Sequence, residues 1–513
     1  MLFFLACAGT VAPEPAAEPA EAPAPPSGER IVFEAATDKA TPAMWVDGVR
    51  HELTYKVFAE DGQDIGGRPF GMLVDVNGDD IEQCNNQDFA ALIVVDGVTF
   101  HLSHVECHPS AIYITEMDAE MNPVWTRPVD MSGVRGSMLA CSGDVTPWNT
   151  LLSSEEYEPN AALAVPGEGV SDNWQGFNRI GNYFPDGLAT VNPYDYGWIP
   201  EVTVLDAKGN TSVVKHFSMG RFSHELGVVA PDQRTVFLSD DGYGVGFFRF
   251  VADTPADLSA GTLYAAKFVG TAIEWVDLGH ASNDEVDTSL TFGQMFTADD
   301  EGCTPIATQF GPECLSLVEG MDLPASRLET RRYAALMGAT TELSKTEGIA
   351  IDVDRKRVYL AATINGKGME RGHPEFDVEG VDHIQAIPNG CGSIIAFNYT
   401  EEFTPTSWET VLAGLPMGQG CHPDHIANPD NITMLGDLVM VAEDTRNHDP
   451  NVLWAWDPDD DSLTPVVYAG PDGAEMAGIH HYPDVGWFTV TEQHGPRGKH
   501  PTLSAVLGPI PDL

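Results

Sequence analysis

The chain repeats one pattern of apolar runs and polar ends. Each copy begins with a carboxylate or an amide, passes through a short apolar strand and a polar turn, and continues in a second apolar strand that ends in further polar residues. The copies lie at residues 220–242, 344–364, 428–445 and 474–495. This alternation predicts one β-hairpin per copy, with polar side chains at its open end.

The polar ends of these hairpins carry candidate metal ligands. The first strands begin at Glu225, Glu347, Asn431 and Glu475, and the second strands end at Asp240-Asp241, Thr363, Asn365, Glu443-Asp444 and Glu492-Gln493-His494. If the hairpins are arranged radially, as in a β-propeller, these ends meet at the mouth of one central channel. Crowded carboxylates repel each other, so such a ring needs cations to neutralise it. A propeller whose hairpin ends are merely solvated is the alternative that the pattern leaves open.

Composition agrees with an all-β protein. Apolar residues make up 43% of the 513 positions, which is enough for a large core, and 50 Gly with 37 Pro favour many turns over long helices. We predict a β-propeller domain over residues 30–513, with about six blades as in common propellers. Long insertions are expected between blades, above all in residues 253–343, which are rich in Asp, Thr and Gly.

Charge excludes one class of partner. The chain has 77 Asp and Glu against 26 Lys and Arg, a formal net charge of -51, which repels nucleic acid and anionic membrane surfaces. Most of these carboxylates are expected on the solvated surface, because no metal site needs so many, but a few can be ligands. Nothing in the sequence marks an interface, so a monomer is predicted.

The N-terminus predicts export. Residues 1–7 are apolar and end at Cys7, and residues 8–29 form an Ala/Pro/Glu-rich stretch that we predict to be a disordered linker. The start resembles a truncated bacterial lipoprotein signal, with Cys7 as the lipid-modified residue and the only contact with a membrane. The predicted location is the periplasm or the cell surface. An ordinary disordered leader is the alternative, because the run is short and contains no basic residue.

The cysteines predict disulfides and leave one thiol for other chemistry. Cys303 and Cys314 flank a loop with Pro and Gly that can close on itself, which predicts a disulfide. Two further pairs are less firmly indicated, Cys84 with Cys107 and Cys391 with Cys421. Two His-x-x-His pairs lie near two of these cysteines and suggest zinc: His101 with His104, and His422 with His425. At both places the second ligand pair of a structural zinc site is missing.

Cys141 opens the stretch CSGDVTPWNTLLSSEEY, which runs from residue 141 to residue 157. A turn and the predicted strand Thr150–Leu152 bring this cysteine to the same end of a hairpin as Glu155 and Glu156. Thiolate binds iron or zinc and carboxylate binds harder cations, so the combination suits a metal site. The alternative is half of a structural disulfide followed by an ordinary strand end.

Together these segments resemble the PhoX-type alkaline phosphatases of bacteria. The matching motifs occur in the family's order between about residues 141 and 495: the Cys141 hairpin, GRFSHE at 220–225, TEGIA at 346–350, PDN at 429–431, ED at 443–444 and EQHG at 492–495. The resemblance implies a β-propeller whose active site holds ferric iron (Fe3+) together with calcium (Ca2+) and hydrolyses phosphate esters.

Residue by residue, the resemblance makes Cys141 an iron ligand, with Glu156, Glu225 and Glu347 as ligands of iron or calcium and Asp444 as a further member of the shell. Two positions depart from the family's pattern. Tyr157 stands where the family has Asn, and Lys345 stands where it has Arg. Lysine keeps the charge that holds a phosphate oxygen but loses the bidentate fork of arginine.

The predicted function is therefore metal-dependent hydrolysis of phosphate monoesters at alkaline pH, with Lys345 and Cys141 as the catalytic residues and small phosphate esters as substrates. The sequence contains no GxSxG elbow and no phosphate-cradling P-loop. Two alternatives remain open. One is a calcium-dependent lactone hydrolase, and the other is a non-enzymatic, lipid-tethered surface propeller.

Overall fold

The computed structural model describes residues 30–37, 39–470, 474–493 and 501–513. The predicted signal with Cys7 and the predicted linker lie outside these ranges. Within them, no helix is long and apolar enough to cross a membrane. The described strands form six antiparallel blades. Two of these blades lie in the largest sheet, where the strand Ala272–Ser282 connects them. The predicted all-β propeller and its six blades are confirmed.

Each blade has four strands, ordered from the channel outward. Blades one to three consist of Gln87–Val95, Val98–Val105, Ala111–Met117 and Pro123–Pro128; of Gly143–Val145, Leu151–Ser153, Ile199–Val204 and Thr211–His216; and of His224–Val229, Thr235–Asp240, Phe247–Thr254 and Asp257–Val269. Blades four to six consist of Thr346–Asp352, Arg357–Ala362, Ser393–Tyr399 and Pro405–Ala413; of Pro429–Leu435, Leu438–Glu443, Val452–Asp457 and Ser462–Tyr468; and of Glu475–Tyr482, Trp487–Gln493, Leu503–Gly508 and Thr54–Glu60.

The four predicted hairpins form the two innermost strands of blades three to six. The Cys141 stretch forms the corresponding hairpin of blade two, with its second strand at Leu151–Ser153, one residue later than predicted. These inner strands are mostly buried and apolar, because channel and neighbouring blades cover both faces. Large apolar clusters fill the spaces between blades, so the core is divided by the radial sheets.

Blade six joins the two ends of the chain. Its outermost strand, Thr54–Glu60, comes from the N-terminal part and pairs with the C-terminal strand Leu503–Gly508. This pairing closes the ring without leaving an open sheet edge at the seam. Ahead of it lies a three-stranded sheet of Ile31–Phe33, Ala43–Val46 and Val49–Glu52.

The predicted insertion lies between blades three and four. The strand Ala272–Ser282 extends blade three and meets blade four through the pair Ala272 and Ser407. A small sheet follows, with strands Phe296–Ala298, Thr304–Thr308 and Gly311–Leu317, and so do the α-helices Phe292–Met295, Asp322–Leu328 and Thr330–Leu336. The last helix carries two arginines, Arg331 and Arg332, into the protein interior.

Short elements complete the connections. Two-stranded pairs are Asp64–Ile65 with Arg68–Pro69, Met72–Val74 with Asp80–Gln83, Ala164–Val165 with Gly169–Val170, Tyr243–Val245 with Leu343–Ser344, and Pro416–Met417 with Gly420–Cys421. Turns of 3-10 helix are Ser132–Val134, Ala161–Leu163, Trp174–Tyr183, Gly187–Thr190, Pro193–Asp195, Phe217–Met219, Asn283–Glu285, Lys367–Met369 and Val378–Gly380.

The three predicted disulfides are all present: Cys84–Cys107, Cys303–Cys314 and Cys391–Cys421. Cys141 is the free thiol of the described chain, so it is not half of a structural disulfide with any described cysteine. The cysteines beside the two His-x-x-His pairs, Cys107 and Cys421, are both in disulfides and so cannot offer a thiolate to zinc. His101 is instead buried among aromatic rings, with Phe58 at 4.8 Å between ring centroids.

Candidate metal centre

Four overlapping groups of side chains lie at one end of the channel, and we call them together the acidic centre. Within each group the candidate ligand atoms lie within 4.8 Å of one another. Neighbouring groups share a residue and so form a continuous row: Asp88, Glu106 and Cys141; Cys141, Glu156 and Glu225; Glu225, Glu347 and Asp430; Asp430, Asp444 and Glu475. Every blade contributes through the ends of its inner hairpin or the residues beside them, and blade one contributes Asp88 and Glu106 in this way.

Cys141 lies near the middle of this row. It is 8% exposed, and its thiol contacts Glu225 Oε1 at 3.4 Å and Asp88 Oδ2 at 3.6 Å. Burial raises the pKa of the thiol well above its ordinary value, and the charges of Asp88 and Glu225 raise it further. A bound cation reverses this effect, because metal coordination favours the thiolate.

Bulged strands aim three of the ligands into the channel. The register of the inner hairpins shifts at the residues that flank Glu225, Glu347 and Asp430: between His224 and Leu226, between Thr346 and Ile349, and between Pro429 and Ile432. A bulge inserts an extra residue into one strand and re-aims its side chains, and it often does so beside active sites. Strict alternation would send one of two successive residues, such as Asp430 and Asn431, away from the channel.

Two glycines let the inner strands approach each other at this end. A Cβ at Gly348 would lie 2.6 Å from the carbonyl oxygen of Asp430 and from the backbone nitrogen of Ile432. Gly478 has a φ of 56°, and a Cβ there would lie 2.8 Å from the carbonyl oxygen of Asp88. Any larger residue would push these strands apart and widen the acidic centre.

The paired glutamates of the Cys141 stretch have different surroundings. Glu155 is buried in an ion pair with Lys215 at 2.7 Å, and it accepts hydrogen bonds from the backbone of Gly197 and Trp198. Glu156 instead joins Cys141 and Glu225 in the acidic centre. Only Glu156 is therefore a candidate ligand, as the family resemblance implied.

The carboxyl groups of the acidic centre resist ionisation. Burial, the largest cause, and mutual repulsion raise the pKa of Glu106 to about 7 and that of Asp430 to about 6. The same causes raise the pKa values of Glu156, Glu225 and Glu347 well above the ordinary range. In addition, three carboxyl oxygens of this region are buried without a hydrogen-bond partner among the described residues: Asp88 Oδ1, Glu225 Oε2 and Asp241 Oδ1.

This donor set fits bound cations. Buried oxygens that lack donors, together with one thiol, are what hard cations and a thiolate-binding metal would satisfy. Cations would also remove the repulsion that now raises the carboxyl pKa values.

Lys345 is the basic side chain that the described residues bring to the acidic centre. Its Nζ forms ion pairs with Asp241 and, at 3.1 Å, with Glu347 Oε1, and it lies 3.0 Å from Tyr157 Oη. The Tyr157 hydroxyl in turn donates to Asp241 Oδ2 at 2.5 Å. Although burial opposes its ionisation, Asp241 has its pKa lowered to about 2, chiefly by Lys345. The two departures from the family pattern thus contact each other.

The structure brings together every residue predicted for the site: Cys141, Glu156, Glu225, Glu347, Asp444 and Lys345. The residue-by-residue prediction did not include five further residues that the structure places there: Asp88, Glu106, Asp241, Asp430 and Glu475. Glu475 and Asp241 were visible at the ends of predicted hairpins. Asp430 precedes Asn431, the predicted leading residue of its hairpin, and only the bulge shows that Asp430 also enters the channel.

A family profile decides the assignment. The profile described as "Alkaline phosphatase PhoX" matches residues 125–495. The chain belongs to the PhoX alkaline phosphatase family. It is therefore a phosphoric ester hydrolase of a metal-dependent family, which excludes the non-enzymatic alternative. A comparison with curated protein sequences finds no match.

One solved structure shares the fold. Pseudomonas fluorescens PhoX in complex with vanadate, a transition state analogue, is 18% identical with a TM-score of 0.62, over 93% of this chain and 97% of that chain. A putative 6-phosphogluconolactonase from Bacteroides uniformis is 11% identical with a TM-score of 0.31, over 86% and 95% of the two chains. A mutant Trypanosoma rangeli sialidase is 9% identical with a TM-score of 0.36, over 89% and 58%.

Proposed function

We propose that the acidic centre binds ferric iron and calcium and hydrolyses phosphate monoesters at alkaline pH. The observation that carries the proposal is the buried Cys141 thiol, held within 4.8 Å of both Glu156 and Glu225 ligand atoms. Calcium takes oxygen ligands, so a calcium site alone would leave this thiol without a role. A thiolate with carboxylates is a ligand set for iron.

The other carboxylates would hold calcium. Glu347, Asp430, Asp444 and Glu475 offer oxygens only, as hard cations prefer. When bound, the cations would neutralise negative charge that develops on the phosphoryl group. They also explain how a chain with a net charge of -51 attracts an anionic substrate.

Lys345 would bind a phosphate oxygen by charge. Its side chain is 23% exposed, so a substrate can reach it, while Asp241 and Tyr157 hold the ammonium at the edge of the acidic centre. Pseudomonas fluorescens PhoX binds vanadate, and this supports a phosphate-like ligand for the same fold. Lysine gives one point contact where arginine would give two parallel hydrogen bonds.

The test combines activity with metal content. Purified protein should hydrolyse a chromogenic phosphate monoester, lose activity on calcium chelation and regain it when calcium is restored. Cys141→Ser should lower kcat by roughly a hundredfold or more and remove bound iron, measured by elemental analysis. Asp144→Asn is the matched control, because Asp144 is a buried carboxyl in the same blade that lines the channel outside the acidic centre.

Three outcomes are informative. Iron loss with retained folding in Cys141→Ser, and normal iron in Asp144→Asn, support the proposal. Full monoesterase activity and full calcium binding in Cys141→Ser would contradict the proposal, because they would show that the reaction needs neither this thiol nor iron bound to it. A folded, metal-loaded protein that cleaves no monoester would overturn the monoester assignment and direct attention to diesters.

We also propose that the protein is exported and attached to a lipid through Cys7. Three disulfides support an oxidising compartment, where such bonds persist. Metabolic labelling with a fatty acid tests the anchor. Label that is absent from the wild type, or that persists in Cys7→Ser, would contradict it.

A further inference from the structure

An exposed tryptophan lies beside the acidic centre. Trp174 is 43% exposed. The other large apolar side chains that are exposed in the described ranges are all aliphatic. Its ring meets that of Tyr157 edge to face, with 6.3 Å between centroids and 81° between planes. Single exposed apolar residues are common, but this one continues the wall of the site through Tyr157.

The segment that carries Trp174 is held in place. Asn178 donates its backbone N–H to Asn173 Oδ1 at 2.8 Å, and its side chain makes two hydrogen bonds to the backbone of Val170, both at 2.9 Å. Just beyond a kink at residues 175–176, Phe177 and Ile180 are fully buried in an apolar cluster against which Tyr157 packs. The tryptophan therefore stands on an ordered support.

Tyr157 connects this ring to the charged end of the site. Its backbone has a φ of 48°, a conformation that bulky residues rarely adopt, and its N–H donates to Ser223 Oγ at 2.8 Å. Its hydroxyl is held by Asp241, and Lys345 Nζ lies 5.6 Å from its ring centroid. These contacts fix the tyrosine ring between the ammonium group and Trp174.

We propose that Tyr157 and Trp174 form an aromatic subsite that selects phosphate esters whose alcohol portion carries a planar aromatic ring. The proposal rests on the proposed function, because Lys345 must hold the phosphate. A phosphate at Lys345 lies next to the Tyr157 hydroxyl, which is 3.0 Å from Nζ, so the ester group can extend along the tyrosine ring toward Trp174. Planar rings interact favourably with aromatic faces and edges, whereas a polar alkyl alcohol gains little there.

The experiment compares two substrates and two ligands that are not cleaved, using metal-loaded full-length protein. The substrates are phenyl phosphate and glycerol 2-phosphate, with released phosphate as the readout for kcat/KM. The ligands are phenylphosphonate and methylphosphonate, whose P–C bonds resist hydrolysis, with calorimetric affinity as the readout. The variants are Trp174→Ala, Tyr157→Phe and Leu205→Ala. Leu205 is the control, an apolar residue of another turn that is 57% exposed.

Trp174→Ala should lower kcat/KM for phenyl phosphate about fivefold and leave glycerol 2-phosphate within about twofold, as expected for the loss of one aromatic contact. Tyr157→Phe keeps the ring, so the ratio of the two substrates should stay at the wild-type value even if both rates fall. Leu205→Ala should change neither substrate. An equal loss on both substrates in Trp174→Ala, or no loss on either, would overturn the proposal.

The phosphonates separate this inference from the proposed function. If the wild type cleaves no ester, the proposed function fails while the aromatic subsite is still measurable. Weaker binding of phenylphosphonate, but not of methylphosphonate, in Trp174→Ala supports the subsite. Equal affinity of the wild type for both phosphonates refutes it.

Discussion

Two neighbouring aspartates belong to two different clusters of buried charge. Asp240 and Asp241 follow each other at the end of one strand, and both are fully buried. Asp240 points to the arginine cluster, which we define as Glu158, Asp240, Glu313, Glu329, Arg331 and Arg332. Asp241 points to the acidic centre and contacts Lys345. Both clusters bury several carboxyl groups, but they differ in how the negative charge is balanced.

In the arginine cluster the protein supplies its own cations. Arg331 binds Glu158 Oε1 at 2.6 Å and Asp240 Oδ1 at 2.5 Å. Arg332 pairs with Glu313 and Glu329, each at 2.7 Å. Both guanidinium groups are buried and form the planar, bidentate contacts for which arginine is suited. Each of the four carboxylates therefore has a guanidinium partner within the protein.

In the acidic centre, by contrast, Lys345 is the positive charge that the described residues place beside a row of carboxyl groups and a thiol. The difference shows that charge burial alone does not mark a functional site. What marks it is buried charge that the described part of the protein leaves without counter-charge.

Removing one arginine should have the largest effect on stability. Arg331→Met leaves Glu158 and Asp240 buried without a cation, which should lower the free energy of unfolding by about 3–5 kcal/mol, while Arg331→Lys should cost less. Urea unfolding of the metal-free and the metal-loaded protein measures both values. A loss below about 1 kcal/mol would mean that the arginine cluster is not held by its charges.

The stability of the metal-free protein should fall as pH rises. Carboxyl groups whose pKa is raised on folding stabilise the folded state while they are protonated. This contribution is lost as pH rises from the ordinary carboxyl pKa up to the raised value, which is about 7 for Glu106, and burial and repulsion raise the pKa of Glu225 well above the ordinary range as well. Above about pH 7, outside the ordinary range of histidine, the free energy of unfolding should keep falling, by about 1.4 kcal/mol per pH unit for each carboxyl group that is still protonated in the folded state. Bound metal should abolish most of this slope. An equal slope with and without metal, measured by urea unfolding, would contradict the assignment.

Replacing Glu by Gln should have opposite effects on protein stability at two positions. Glu225→Gln relieves repulsion in the acidic centre and should stabilise the metal-free protein by about 1–2 kcal/mol at alkaline pH while weakening metal binding. Glu155→Gln, the matched control, leaves Lys215 without its partner and should destabilise the protein. Thermal unfolding with and without metal measures both. Destabilisation by Glu225→Gln in the metal-free protein would show that its carboxylate is already balanced.

Much of the fold follows from local patterns in the sequence. The inner hairpins were predicted because apolar alternation and turn residues act over a few positions. The disulfide between Cys303 and Cys314 was predicted for the same reason, since the loop between them is short. The predicted ligands were found partly by resemblance and partly because hairpin ends must converge in a propeller.

What only the tertiary structure decided is which carboxylates have partners. Asp240 and Asp241 are identical in sequence terms, yet the partner of Asp240 lies 91 residues away on a helix of the insertion. Glu155 and Glu156 differ in the same way, because Lys215 reaches only the first. Bulges that aim Asp430 into the channel depend on strand pairing across a blade. Alternation is local and can be read along the chain, whereas charge pairing and strand register depend on residues that meet only after folding.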